Sequence, residues 1–345
     1  MRLLDRLFGG RAARGAAKDD DAVARAIIDR VVGATDKRLK LVPGYERTLR
    51  APALATLEYL RGLIRALPGP VDMSAGAWRD DRRLRALFAR PDDIAAAFSG
   101  DASVQRCLAG SPAPHCFALL GLERSKRQVF APALVGGAVQ AEVAREVVSF
   151  GKPRVLAPGV EETAIRVEIG KLAVDYLARL ALAQMTADQD QKRELEQERA
   201  LLRMRLQLAE RSQRGLASGL ADAPESAALP QDRAALAREL RDNEQALAKL
   251  APTELMTRFL EILRDTLAEP AAHIRVEPCV LAVDDMNFLV TDAERAAGAA
   301  AFDLDLRELW LDTRGPWTAL VGRFPRDELR PAEDAVANAE RYLQV

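Results

Sequence analysis

The stretch from Asp188 to Arg214 restricts this chain more than any other part of it. It is dense in charge, yet Leu195, Leu201, Leu202, Met204, Leu206 and Leu208 give it an apolar side. Such a segment is too polar for the interior of a core and too regular in its apolar spacing for a solvated coil. It reads as a helix that needs company along one flank. After a Gly-, Ala-, Ser- and Pro-rich run at 215–230, Leu236, Leu240, Asn243, Leu247 and Leu250 recur at alternating steps of four and three residues. That is the heptad spacing of a coiled-coil seam. Joined by a loop of small residues, the two helices are expected to double back, making 187–251 an antiparallel helical hairpin that projects roughly 35–40 Å at about 1.5 Å per residue. Asn243 on the seam would help fix its register. The same spacing also serves two helices lying flat on the rest of the protein, or a seam closed between two chains.

Helices and strands alternate on either side of this stretch. Val23, Ile27, Ile28, Val31 and Val32 form one apolar stripe, and Leu54, Leu57, Leu60, Leu63, Ile64 and Leu67 a second, closed by Pro68-Gly69-Pro70. Shorter helices are predicted near 79–89, 91–98 and 102–108, where Asp92, Asp93 and Asp101 supply start signals. The first third therefore reads as a helical bundle. From Cys116, the runs CFALLGLE and RQVFAPALV flank Arg124-Ser125-Lys126 as a hairpin with a polar turn would, and an extended stretch near 146–156 adds to the same sheet. Gly136-Gly137 reads as a turn. Helix resumes near Glu161. Beyond the central stretch, a helix opened at Pro252 carries Leu255, Phe259, Ile262, Leu263 and Leu267 and ends at Pro270. Two more hairpins follow, VLAV with FLV around 284–287 and FDLDLRELWL with WTALVGRF around 312–316, then a last helix over 331–343.

The expected class is α+β and predominantly helical: a helical N-terminal bundle and short antiparallel β-hairpins, with the coiled-coil hairpin inserted in the middle. The divisions fall at 1–20, an amphipathic tag and linker; 21–186; 187–251; and 252–345. The tag, MRLLDRLF, places Leu3, Leu4, Leu7 and Phe8 on one helical face, a pattern for weak peripheral membrane contact at the inner surface or for partner docking, or for a frayed end.

Charge narrows the choice of partners. The 345 residues carry 50 basic and 51 acidic side chains, a net charge of −1, so no global field recruits nucleic acid or anionic lipid. The heavy use of Arg, Ala and Leu matches a GC-rich bacterial coding bias, which discounts arginine counts as evidence for phosphate binding. Three cysteines without a paired spacing suit a reducing compartment, and no run reaches the roughly 20 apolar residues of a membrane span, so a cytoplasmic location is expected.

Chemistry leaves few traces. The chain has two histidines, His115 and His273, little material for a triad or a zinc site. His115 and Cys116 are adjacent, and neighbours on a strand point to opposite faces. Asp80-Asp81, Asp92-Asp93 and Asp284-Asp285 suit turns and helix starts, while Asp303 and Asp305 alternate with Phe302, Leu304 and Leu306 as a solvated strand face does. No phosphate-loop, dinucleotide or metalloprotease motif occurs. The best anion candidate is TDKRLKLVPGYERTLR, with Lys37, Arg38, Lys40, Arg47 and Arg50 around Tyr45; a structural loop with solvated basic residues is the competing reading. Arg124, Lys126 and Arg127, and Arg82, Arg83 and Arg85, are further basic clusters.

No catalytic residue, metal ligand or cofactor site is assigned. The function expected is that of a non-enzymatic interaction or scaffold protein, engaging a protein partner or itself through the arm, with Leu201, Met204, Leu208, Leu236, Leu240, Asn243 and Leu247 as contact residues. The alternative is an enzyme or small-ligand-binding protein whose site is assembled from distant residues, with Asp303, Asp305 and Arg314 as candidates.

Overall fold

The computed structural model describes residues 16–135, 138–219, 229–296, 298–311 and 314–331. Among the described residues 60% are helical and 26% lie in strands, a mixed class that agrees with the one expected from the sequence. By contacts it divides into two compact units. One comprises residues up to Ala26, Leu54–Val174 and Glu269 onward; the other Ile27–Ala53 and Asp175–Ala268.

The first unit is organised by a six-stranded sheet. Its strands are β1 (Val71–Asp72), β2 (His115–Val135), β3 (Ala138–Gly159), β4 (Ile274–Val283), β5 (Phe302–Leu311) and β6 (Arg314–Pro325). The order is β3-β2-β6-β5-β4, antiparallel throughout, with β1 joining β6 in parallel through Val71↔Gly322 and Asp72↔Arg323. Apolar residues on alternate positions divide between two faces, as the two-residue strand period requires. Leu120, Leu122, Leu304, Leu306, Leu320 and Phe324 lie on one, in a single buried cluster with Met73, Leu84, Ile94, Phe98, Val104 and Leu108. Those partners come from four short helices and the chain before them: α3 (Ala75–Asp80), α4 (Arg82–Leu87), α5 (Pro91–Ser99) and α6 (Ala102–Ala109). Phe98 stacks on Phe324 with centroids 4.6 Å apart. The opposite face carries Leu119 and Ala319 against Ile64, Leu67 and Ile169.

Three of the four short helices begin where a side chain satisfies their first backbone N–H groups. Ser74 caps α3, Asp81 caps α4 and Asp101 caps α6, while α5 opens on Pro91 with the Asp93 carboxylate accepting the Arg90 N–H. These helices share one buried cluster with the strands, so within the first third expected as a helical bundle they form a layer on the sheet. The longer helices α1 (Ala16–Ala34) and α2 (Tyr45–Ala66) precede them. At the end of α2, Arg166 donates to the carbonyl oxygens of Ile64 (2.8 Å), Leu67 and Pro68 (3.1 Å), groups that have no partner within the helix.

One strand assignment differs from the sequence reading. Arg124-Ser125-Lys126 is no turn, because β2 runs through it without a break. Arg124 is held at the end of the buried face by Glu308, 2.5 Å away, and the triplet lacks the Gly or Asn that a tight turn demands. The paired ends of the hairpin are Val135 and Ala138, and Gly136-Gly137 between them lies outside the described residues. β4 pairs along its whole length with β5; its expected hairpin with 288–290 is present as a short one, with Val283 bridged to Leu289, the Asp284 N–H donating to Phe288 O and the Val290 N–H to Ala282 O, while Phe288 also bridges Val147. The hairpin of β5 and β6 is present, although the 312–313 turn lies outside the described residues, as do the tag at 1–8 and the last helix at 331–343 apart from Pro331.

The second unit is helical. It contains the later part of α1, the short 3-10 turn Lys37–Leu41, the start of α2, most of α7 (Glu162–Gly219), α8 (Leu229–Lys249) and α9 (Pro252–Ala268). Ile27, Ile28, Val31, Val32, Leu39, Leu49, Leu177, Met185, Phe259 and Leu263 are buried in it. Arg30 grips Asp175 through two contacts of 2.6 Å, and Arg258 of α9 holds Asp188 of α7 at 2.5 Å. At 58 residues, α7 is about 87 Å long and joins what the sequence reading treated as two stretches.

Gly322 sits where β6 passes beneath Met73 and Phe98; a Cβ there would stand 3.0 Å from Met73 Cγ and 3.2 Å from Phe98 Cζ. Gly322→Val is expected to cost about 1–3 kcal/mol of stability by overpacking, read as a lower midpoint in urea unfolding with an unchanged slope.

Candidate functional site

Three regions merit attention: the surface of the central helices, the basic segment at 35–50, and a cleft in the sheet unit.

On α7, Leu195, Glu198 and Leu202 recur at i, i+3 and i+7 and so share one face. That face meets α8: Asn243 Nδ2 donates to Leu195 O at 3.1 Å and to Glu198 Oε2 at 2.8 Å, and Leu202 is buried. Arg203 and Glu244 pair at 2.6 Å beside it. Leu236, Leu240 and Leu247 of α8 are half-buried, and Asn243 and Leu250 are buried. Leu201, Met204 and Leu208 behave differently. They also stand at i, i+3 and i+7, but roughly a third of a turn away from the Leu202 face, and they are 45%, 57% and 56% exposed. The contact residues expected from the sequence thus separate into an inward set on α8 and an outward row on α7.

The basic segment is largely committed to its own carboxylates. Asp36 accepts from the Arg38 side chain at 2.6 and 3.0 Å and from its backbone N–H at 2.9 Å, bonds that hold the Asp36 carboxyl below its usual range. Lys40 pairs with Asp29 at 2.8 Å. Lys37, Arg47 and Arg50 are exposed, the first in the 3-10 turn and the others on α2.

The cleft, of about 470 Å³, is lined by Arg82, Arg145, Asp284, Asp285, Glu294 and Phe302, with apolar neighbours. Arg145 of β3 lies over the Phe288 ring at 4.3 Å and donates to Asp284 at 3.1 Å. Arg82 of α4 lies over Phe302 at 5.3 Å and meets Asp285 at 3.2 Å. Asp284 also accepts the Met286 and Phe288 N–H groups, and Asn287, with φ at 62°, completes the turn by donating to Ala86 O at 2.8 Å. Glu294, on the short helix α10 (Asp292–Ala296), accepts from the Thr291 N–H and Oγ1; these bonds hold its carboxyl low, and Arg145 adds to the effect. The two guanidinium groups are opposed by three carboxylates, so the lining offers orientation to a polar ligand without strong attraction for an anion.

The other chemical candidates do not converge. Asp303 and Asp305 are exposed and paired with Arg295 (2.6 Å) and Arg307 (2.5 Å), and neither lines the cleft. The Arg314 side chain lies outside the described residues. Among the described residues, no group of three His, Cys, Asp or Glu side chains could hold a metal, and no helix is long and apolar enough to cross a membrane. Cys116 is buried in β2, pointing into the core, where burial and the nearby Cys107 push its thiol up to about 12. The sequence reading missed the buried contact of Arg124 with Glu308 and, at 3.3 Å, with Cys279 Sγ; it also missed the roles of Arg145 and Glu294. Nothing in their local spacing announces partners so distant in the chain.

No protein-family model matches the chain, and neither a curated protein nor a solved structure matches it.

Two measurements follow from this chemistry. A thiol titrating near 12 stays protonated at mildly alkaline pH, so iodoacetamide is expected to leave Cys116 unmodified in the native protein and to alkylate it after unfolding, as read by peptide mass spectrometry. Asn243 Oδ1 is buried without a partner among the described residues, so Asn243→Leu is expected to stabilise the helical unit by about 1–2 kcal/mol, seen as a raised thermal midpoint.

Proposed function

We propose that the protein is a non-enzymatic interaction protein that docks a protein partner, or a second copy of itself, through segment 187–251 folded as an antiparallel coiled-coil hairpin. The observation that carries this reading is the outward row of Leu201, Met204 and Leu208 on a helix otherwise rich in charge. Residues at i, i+3 and i+7 make a narrow apolar seam that one further helix covers. Covering three half-exposed side chains would contribute on the order of 1 kcal/mol each. The inward set on α8, with Asn243 bonded to α7, supports the hairpin itself. In this reading the protein works in the cytoplasm, with residues 1–8 as a peripheral membrane contact. Nucleic acid is disfavoured by the neutral net charge and by the carboxylates held against Arg38 and Lys40.

A second reading, a small-ligand-binding protein, is favoured by one observation: the cleft has the volume of a small-molecule site and two arginines fixed by rings and carboxylates. A reproducible rise in melting temperature with nucleotides or divalent metals would support it over the first.

Because Asp188 and Leu202 belong to the packed interior of the helical unit, the test of the arm is substitution on its outer surface. Changing Leu201, Met204 and Leu208 together to Gln is expected to weaken partner capture about a hundredfold while leaving helicity and melting temperature as in the parent. Undiminished capture by the folded variant would overturn the proposal.

A further inference from the structure

β2 and β3 are paired from Phe117↔Gly159 to Val135↔Ala138, but the rest of the sheet accompanies only their bases. β6 runs beside β2 from His115 to Glu123. On the other side, the turn after β4 touches β3 through Val148 N–H to Asn287 O, 2.9 Å, and Leu289 N–H to Glu146 O, 2.8 Å. Past Arg124 on one strand and before Arg145 on the other, no further described strand lies alongside. A two-stranded ribbon of roughly 30 Å thus runs on past the sheet, with Pro132 lining the cleft beside Arg145, Glu294 and Phe302.

This ribbon is poorly suited to water. A strand pair without a third strand or a covering helix is marginal by itself. From Gln128 to Ala141 the sequence has no Asp, Glu, Lys or Arg, in a chain that is 29% charged. Phe130 is 78% exposed, and its cross-strand neighbour Ala144 is exposed too.

The chemistry of its edges says what covers it. Outward backbone N–H and C=O groups need hydrogen-bonding partners, which the hydrocarbon of a bilayer does not offer. Lys126 and Arg127 at the base are balanced by Glu146 beside them and Glu142 further out, all four exposed, so the ribbon has no net positive charge for anionic headgroups. A strand from another chain supplies what is lacking. The two edges differ. That of β2 is blunted by Lys126, Arg127 and Pro132, which has no N–H and sits where the register slips between Ala131 and Ala133. That of β3, from Ala138 to Ala144, has Glu142 as its one charged residue. One usable edge per chain closes on itself about a two-fold axis, whereas two would propagate into a fibre.

We propose that the free edge of β3, residues 138–144, is a self-association surface on which two copies of this chain pair strand to strand. It is independent of the row on α7.

Ala144 provides a clean test. The Glu146 carbonyl and the Val148 N–H both point away from β2, toward 287–289, so the strand period turns the Ala144 N–H outward as well. Ala144→Pro therefore deletes an edge donor while sparing the bonds to β2. Light scattering of the full chain at tens of micromolar is expected to give a dimer, and Ala144→Pro a monomer with association at least tenfold weaker and an unchanged melting temperature. Should that variant misfold, a benzoylphenylalanine photo-crosslinker at Phe130 is expected to give covalent dimers joined between residues 124–148 of the two copies. A monomeric parent, a dimer that survives Ala144→Pro, or photo-adducts mapping elsewhere would overturn the proposal. Loss of the dimer in the Leu201, Met204 and Leu208 to Gln variant, or capture of a monomeric parent by phosphatidylglycerol vesicles that Phe130→Lys abolishes, would overturn it equally.

Discussion

The sheet unit depends on one strand, β6. It pairs with β2 on one side and with β5, then β1, on the other, so its backbone groups are consumed by three neighbours. Its side chains serve both faces: Leu320 and Phe324 enter the cluster beneath the short helices, and Ala319 the cluster beneath α2 and the start of α7. A strand covered on both faces tolerates little variation in volume, which is why a glycine stands at 322. Removing β6 from this arrangement would leave β2, β5 and β1 with bare edges and the stacked Phe98 without its partner ring.

In the helical unit, polar contacts set the alignment. Leucines at heptad spacing are interchangeable over one turn, so apolar burial by itself would allow α8 to slide along α7. Asn243 bonded to Leu195 and Glu198 distinguishes one alignment of α8 from its neighbours, and Arg258 on Asp188 does the same for α9. The orphaned Asn243 Oδ1 is a stability cost attached to that specificity.

Helices were more legible in the sequence than strands, and for a physical reason. A helix writes its burial into a local period, and the stripes led by Val23, by Leu54 and by Leu255 all correspond to buried helical faces. Asp93 and Asp101 marked two of the short helices equally well, whereas Asp81, which caps α4, falls inside the single helix expected near 79–89. Strand ends are decided by partners elsewhere. Arg124 looked like a turn residue because its counter-charge, Glu308, lies on a strand far along the chain. The cleft was illegible for the same reason: Asp284 was visible as a turn former, while its partner Arg145 sat in an unremarkable stretch of β3. On α7, the heptad pattern announced an apolar surface but could not separate Leu202, which faces inward, from Leu201, its exposed neighbour.

The position of β6 in chain order has a bearing on biosynthesis. Of the described strands it is the last to be translated, and the pairings His115↔Pro325 and Val71↔Gly322 span more than half of the polypeptide. As the ribosome releases β1 and then β2, each waits with an unmatched border through the synthesis of α7, α8 and α9. Closures of such high contact order are slow, and nascent strands in that condition are what holdase chaperones shield. Helical segments nucleate locally and need no such patience, so the two units should mature on separate schedules, with the sheet last.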